Sequence, residues 1–315
     1  MEKTRLFVIL IAAVCVLSFL PGAGAMSIQL DPLSASGSPA SVNTASANDN
    51  YPISVDQAKS SVRVFMNDLA LDPVLSSTGS LEVGNYYHLS VDSDTFDVNQ
   101  NTGVVEFVHF GENAPTSADL NITRDQAYAA AKDYAGQKYD GFSGKTWNLV
   151  IDKIYSDYDY EYNATTGDWK RVDKKAYDFV FREEKDHVLL PNLVHVRVNA
   201  QTGAIIDYWG VDRLVTAGLK NSVSLGEATE TAESYFGIGS GSDFKVSSSE
   251  GYLAVVTRYQ NVENLAWVIK LKGCYSWNQD YEQTYLAVVD ATDGSVIGST
   301  WSSIWPESRL AYYLN

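Results

Sequence analysis

The chain has 315 residues, 45% of them hydrophobic, and a formal net charge of −16. This length is enough for two or three domains with cores of their own. So strong a negative charge repels phosphate backbones, which excludes nucleic acid as an expected partner. The two cysteines are Cys15 and Cys274. Cys15 lies in an N-terminal apolar run, so Cys274 has no second cysteine to pair with in the rest of the chain, and no disulfide is expected there.

The N-terminal 25 residues have the pattern of an export signal. Lys3 and Arg5 precede an uncharged, almost entirely apolar run over residues 6–20, and the small residues at 23–25 fit cleavage by a signal peptidase. We therefore expect a signal peptide over residues 1–25 and a protein that is secreted or held at the cell envelope. The alternative is an uncleaved membrane anchor, since the uncharged stretch approaches the roughly 20 residues that a spanning helix needs.

Three helix starts share one pattern. Each has an apolar residue, then Ser or Thr, two free positions, Gln or Glu, and Ala: ISVDQA, ITRDQA and VSLGEA. This spacing is typical of a capping box, in which the cap hydroxyl and the side chain three positions on bind each other's backbone N–H. The predicted pairs are Ser54 with Gln57, Thr123 with Gln126, and Ser224 with Glu227. We expect the helices to end near Pro73, at Gly136 and at Gly237.

A second pattern recurs downstream of each helix start: VNQNTG, VNAQTG and VDATDG. Runs rich in Val, Ile, Tyr and Phe flank each copy, and glycine adopts a positive φ at little cost, so each copy predicts a hairpin turn between antiparallel strands. The turn residues are Asn99 with Gly103, Asn199 with Gly203, and Asp290 with Gly294. A fourth turn sequence, YNATTGDW at 162–169, predicts a hairpin inserted between the second helix start and its turn.

The pairing of this helix start with this turn resembles the PepSY domain, which occurs in the propeptides of secreted metallopeptidases and in cell-envelope proteins. The resemblance covers most of residues 51–305 and rests on short structural motifs. It implies an α+β fold of three tandem units, each a capped helix packed on an antiparallel β-sheet.

The domain organisation follows from these patterns. Residues 26–50 contain scarcely any large apolar side chain, so we expect a disordered spacer there. After the signal peptide and spacer, the predicted PepSY-like units are residues 51–115, residues 119–218 with the inserted hairpin, and residues 221–308.

No residue spacing matches a catalytic or metal site. None of the four histidines has a second ligand at zinc spacing. Acidic runs at 92–97 and 157–163 lack the features of an EF-hand loop, although calcium ligands converging from separate loops stay an open alternative. We therefore predict no catalytic residue, cofactor or metal site. Asn121 and Asn163 fit the N-glycosylation pattern, in places where a surface is expected.

These observations favour recognition over turnover. They predict a non-enzymatic protein-binding module, secreted or envelope-attached, whose unknown partner is a peptidase or an envelope component that it regulates or inhibits. An extended segment of the partner is expected to add at a free strand edge. The alternative is an extracellular carbohydrate-binding protein or hydrolase with a site between units, marked by a planar row of Trp and Tyr or by convergent carboxylates.

Overall fold

The structure is a computed structural model that describes residues 53–81, 84–257 and 263–300. The predicted signal peptide and spacer lie outside these residues, as does the end of the third predicted unit. The described residues fall into two compact units: a larger unit of residues up to 182 with 192–214, and a smaller unit of 183–191 with the residues from 215 on. In neither unit do the described residues include a helix long and apolar enough to span a membrane.

The larger unit is an α+β structure in which helices cover one face of a sheet. Its strand order is β1-β2-β3-β4-β8-β7-β6-β5, and every pair with a described register is antiparallel. The elements, in chain order, are α1 (Val55–Met66), β1 (Val74–Leu81), β2 (Gly84–Val91), β3 (Asp94–Asn99), β4 (Val105–His109), a 3-10 turn (Gly111–Asn113), α2 (Arg124–Lys138), a second 3-10 turn (Phe142–Gly144), β5 (Trp147–Asn163), β6 (Asp168–Lys185), β7 (Val188–Asn199) and β8 (Ile205–Val211).

The smaller unit combines one described helix with an antiparallel sheet in the order β9-β10-β11-β12. The start of β7 belongs to this unit and pairs in parallel with β9, Leu189 opposite Ala254. The elements are α3 (Leu225–Tyr235), β9 (Phe244–Thr257), β10 (Glu263–Tyr275), β11 (Asn278–Asp290) and β12 (Val296–Ser299). The structure therefore shows an α+β fold, while the division into three tandem units stays a prediction.

All three α-helices in the described part of the chain begin at a capping box. Ser54, Thr123 and Ser224 each accept from the N–H three residues on, and the Gln or Glu at that position accepts from the cap's own N–H. Two predicted helix ends are wrong. The first helix ends at Met66, because Asn67 adopts the left-handed conformation (φ 54°) well before Pro73. The second continues through Gly136 to Lys138, since burial of its neighbour Ala135 against the core outweighs the helix cost of glycine.

The recurring turns have one geometry. In each of the first two, the glycine N–H donates to the Asn carbonyl four residues before it, and the Oδ1 of the same Asn accepts from the N–H groups two and three residues after it. The helix starts contact these turns directly: the N–H of Ile53, of Ile122 and of Val223 donates to a turn carbonyl. The two sequence patterns recur together because each helix start is hydrogen-bonded to its own turn.

Side-chain alternation divides the larger sheet into two unlike faces. On the covered face, buried residues of α1 and α2 pack with apolar strand residues such as Phe96, Val196 and Tyr208. The intervening residues lie on the opposite face, because successive strand residues point to opposite sides, and they include polar and aromatic side chains such as Asp178, His195 and Trp209. The smaller unit has a separate core, in which Ala228 and Ala232 of α3 pack with Ile269, Leu271 and other strand residues.

Candidate functional site

The most exposed part of the larger unit is the distal half of the hairpin formed by β5 and β6. In β6 the side chains change from exposed at residues 168–171 to continuously buried at 176–182, so only the proximal half joins the core. The turn at the tip repeats the pattern of the other turns, with the Gly167 N–H donating to the Asn163 carbonyl at 2.8 Å. We call residues 157–173 the arm.

One face of the arm carries large aromatic side chains that remain in solvent. Tyr158 is 40% exposed, Tyr160 54%, Tyr162 55% and Trp169 66%. The three tyrosines alternate along β5 and therefore share a face. The Arg171 guanidinium lies 4.2 Å from the centroid of the Tyr158 ring, a cation–π contact that adds a positive charge to this aromatic face.

The rings do not form a flat platform. Tyr158 meets Tyr160 edge-on, at an interplanar angle of 85°, with 5.7 Å between ring centroids. Tyr162 meets Trp169 at 51° and 5.2 Å. Because neighbouring rings are tilted to one another, the face is a corrugated aromatic surface rather than the planar row expected for stacking sugar rings.

The other face of β5 in the arm is acidic. Asp157, Asp159 and Glu161 alternate with the tyrosines. Asp159 accepts a hydrogen bond from the Tyr160 N–H at 2.8 Å and forms an ion pair with Lys174 at 3.3 Å. The hydrogen bond from Tyr160 contributes most to lowering the pKa of the Asp159 carboxyl, and Lys174 contributes less, so this residue is charged at neutral pH.

Histidine–aspartate pairs lie on the face of the larger sheet opposite the helices, where the sequence predicted no site. His88 Nδ1 lies 2.5 Å from Asp97 Oδ1, and His109 Nδ1 lies 2.7 Å from Asp207 Oδ1. His195 Nε2 contacts the buried Asp178. Each pair joins strands that are neighbours in the sheet, and the carboxylate fixes the orientation of the imidazole.

Arg197 links two of these aspartates. Its Nη1 donates to Asp207 Oδ2 at 2.8 Å, and its Nε lies 3.6 Å from Asp178 Oδ1. Burial raises the pKa of the Asp178 carboxyl, but interactions with His195 and Arg197 outweigh burial and hold the pKa well below its ordinary value. The centroid of the Tyr155 ring lies 4.2 Å from the Arg197 guanidinium carbon, so the ring packs against this group of charged residues. Among the described residues, no group of three His, Cys, Asp or Glu side chains could hold a metal ion.

A buried ion pair lies close to the first turn. Arg213 Nη1 and Nη2 donate to the two carboxylate oxygens of Glu106 at 2.8 and 2.9 Å. The Tyr86 hydroxyl and the Asn99 side-chain amide also donate to Glu106, so its lone pairs are well occupied. Asn99 therefore has two roles, organising the turn and contacting the ion pair.

The sequence-predicted residues occupy structural or surface positions. The cap and turn residues lie at helix starts and strand connections, and they do not converge on a common site. Asn121 and Asn163 are both exposed, and their glycosylation stays a prediction. The acidic runs considered for calcium are engaged elsewhere: Asp94 accepts from the Gly111 N–H, and Asp157 accepts from the Tyr158 N–H.

Sequence reasoning missed the ion pairs because their partners are distant in the chain. His109 and Asp207 are 98 residues apart, and Glu106 and Arg213 are 107 apart. Strand register, which short motifs do not reveal, brings them together. The alternation of Tyr with Asp and Glu at 157–163 was the signal for the arm. It is typical of a strand with one face in solvent; the structure has a strand there, but both of its faces are exposed.

Comparisons with known proteins add little to this description. No family model matches the chain, and no curated protein does. Among solved structures, the chain is similar to the C-terminal domain of YpeB from Bacillus megaterium, with 17% sequence identity and a TM-score of 0.42. The match covers 79% of this chain and 98% of that domain. A likeness at this level carries no function to this chain, and the PepSY resemblance continues to rest on the sequence motifs.

Proposed function

We propose that this protein is a non-enzymatic module that binds another protein through the aromatic face of the arm. The observation that carries the proposal is the exposure of four large aromatic side chains, 40% to 66%, on one face of a single hairpin. Contiguous exposed apolar surface of this kind marks interaction sites, and Tyr, Trp and Arg are the residues that dominate protein interfaces.

The tilt between neighbouring rings favours a protein partner over a carbohydrate. A sugar stacks on a flat ring face, whereas the Tyr158 and Tyr160 rings meet at 85°. A protein surface can place side chains in the recesses between tilted rings, with hydrogen bonds to the tyrosine hydroxyls at the rim.

The class of partner follows from the sequence motifs. We propose that the three pairs of helix start and turn mark three tandem PepSY-like units, and that the N-terminal signal sends the protein to the cell envelope or the medium. The partner is then an exported protein, either a secreted peptidase or an envelope component that this module regulates.

Affinity capture with matched variants tests the proposal. Immobilised protein is exposed to envelope and secreted proteins of the producing cells, and Tyr160→Ser/Trp169→Ser is compared with wild type. The control is Trp277→Ser/Tyr281→Ser, which removes two similarly exposed aromatic side chains, 71% and 62%, from the hairpin of β10 and β11. We expect wild type and control to retain the same partner and the arm variant to lose it. Equal retention by the arm variant, or turnover of a peptide or glycoside that one substitution abolishes, would refute the proposal.

A further inference from the structure

The arm has a free strand edge beside its aromatic face. Among the described strands, β5 pairs with β6 alone. The side chains of residues 156–163 are all exposed, and eight strand residues extend over about 26 Å. The outer edge of β5 therefore presents enough backbone for an extended segment of six to eight residues.

Two amides of this edge are covered by their own strand. The N–H of Tyr158 donates to Asp157 Oδ1, and the N–H of Tyr160 donates to Asp159 Oδ1, both at 2.8 Å. The Asn163 carbonyl accepts from the Gly167 N–H across the turn and so faces β6. Backbone groups an odd number of residues away point to the other side of the strand, so the amides of Tyr158 and Tyr160 face outward, where each binds the carboxylate of the residue before it. The aspartates thus occupy the positions where carbonyl oxygens of an added strand would accept.

A second copy of this chain is a poor occupant of the edge. In an antiparallel ladder the hydrogen-bonded residues exchange both bonds, so the outward-facing tyrosine amides of one copy must pair with tyrosines of the other. That register places Asp157, Asp159 and Glu161 opposite acidic residues of the second copy. Like charges directly opposite each other destabilise a strand pair, so the sequence of β5 opposes self-pairing.

We infer that the edge of β5 binds an extended segment of another protein in which Lys or Arg alternates with apolar residues. The segment's backbone takes over the amides of Tyr158 and Tyr160, and its basic side chains pair with the displaced carboxylates. Its apolar side chains then lie beside the tyrosines on the other face. This inference rests on the proposed function and specifies the chemistry of the partner segment.

Synthetic peptides test the inference on the purified protein. The probe is an eight-residue peptide that alternates lysine with valine and is blocked at both ends. The first control has the same composition arranged in blocks, and the second alternates glutamate with valine. We expect the alternating basic peptide to bind at least about tenfold more tightly than either control, because it alone matches both faces of the edge. Equal binding of the two basic peptides would overturn the inference, since charge alone would then explain it.

Two further measurements isolate the backbone hydrogen bonds. Tyr160→Pro removes both the ring and the outward N–H, whereas Tyr160→Ala removes the ring and keeps the N–H. Proline is tolerated on an edge strand when its missing N–H faced outward. We expect Tyr160→Pro to bind the probe at least about tenfold more weakly than Tyr160→Ala, and methylation of alternate peptide amides to weaken binding of wild type similarly. Equal affinities in both comparisons would overturn strand addition.

The two proposals fail in different ways. If the peptides show no preference but the affinity capture still depends on Tyr160 and Trp169, strand addition is wrong and the protein-binding function stands. If partner capture is indifferent to those aromatic residues, the proposed function itself is wrong.

Discussion

Glu106 and Arg213 show at the scale of single residues how a buried polar group constrains this fold. Both side chains are 2% exposed, and two hydrogen bonds join them. Bringing two charges out of water is costly, and the paired geometry offsets that cost only while both partners are present.

Glu106→Gln removes one charge and leaves the arginine buried. We expect the free energy of unfolding to fall by about 3–5 kcal/mol, measured by urea denaturation at pH 7. The control is Asp173→Asn, which breaks the exposed pair with Arg171 and should leave the midpoint close to that of wild type. Coincident midpoints for wild type and Glu106→Gln would show that the pair does not stabilise the fold.

Two glycines in unlike conformations give opposite expectations for the same substitution. Gly203 has a φ of +79° at the end of its turn, so Gly203→Ala should destabilise by about 1 kcal/mol through backbone strain. Gly136 lies inside α2, and no atom outside the neighbouring helix backbone lies within 4 Å of an added Cβ, so Gly136→Ala should stabilise by about 0.5–1 kcal/mol. Thermal unfolding of the two variants checks the sign, and a shift in the same direction for both would contradict the assigned conformations.

His109 should make stability depend on pH. Its hydrogen bond to Asp207 raises the pKa of the imidazole, and burial opposes this without reversing it. A pKa raised by folding stabilises the native state fully below the unfolded-state value of about 6.5, and that stabilisation is lost as the pH rises through the folded-state pKa. His109→Gln should therefore destabilise more at pH 5.5 than at pH 8.5 in urea titrations. His187→Gln, at an exposed histidine, is the control variant. A loss of stability on His109→Gln that is the same at both pH values would contradict the prediction.

The edge strand β5 shows at the scale of elements how side chains control pairing. An exposed strand edge invites association, and charged residues along it are one way in which proteins prevent this. Here two acidic side chains cover outward amides, and we expect the acidic residues of β5 to repel a second copy.

Neutralising these acids should increase self-association. We expect Asp157→Asn/Asp159→Asn/Glu161→Gln to form dimers or larger species in sedimentation velocity at concentrations where wild type does not. A variant with three exposed acids neutralised elsewhere, Asp140→Asn/Glu230→Gln/Asp280→Asn, controls for the change in net charge. Equal sedimentation of the two variants would mean that the charge on β5 has no special part in keeping the edge free.

Local patterns predicted the helix starts and the turns better than they predicted the helix ends. A capping box and an Asn…Gly turn depend on hydrogen bonds within a few residues, so the sequence at 54–57 or 199–203 is sufficient to specify them. The end of α2 depends instead on the burial of Ala135 and Tyr139 in the core, which no local pattern contains. No local pattern predicted the ion pair between Glu106 and Arg213 either, because its partners are 107 residues apart in the chain.

At the largest scale, the larger unit combines a packed core with a strongly exposed hairpin, the arm, which we propose as the recognition element. In the larger unit, buried apolar side chains and the Glu106–Arg213 pair hold the sheet and two helices together. The arm leaves this core and carries its aromatic residues into solvent. This distribution is expected of a scaffold that presents a binding surface, because interface residues contribute most when the structure behind them is already ordered.

Site-specific photo-crosslinking in the producing cells tests the central claim most directly. A photoreactive amino acid is placed at Tyr160, at Trp169 and, as a control, at the exposed Leu69, and crosslinked products are identified by mass spectrometry. The account predicts one discrete product, containing the same exported protein, from the two arm positions and none from Leu69. It also predicts that the crosslinked segment of the partner alternates basic with apolar residues. A product from Leu69 alone, or none from either arm position, would contradict the claim that the arm is where this protein binds its partner.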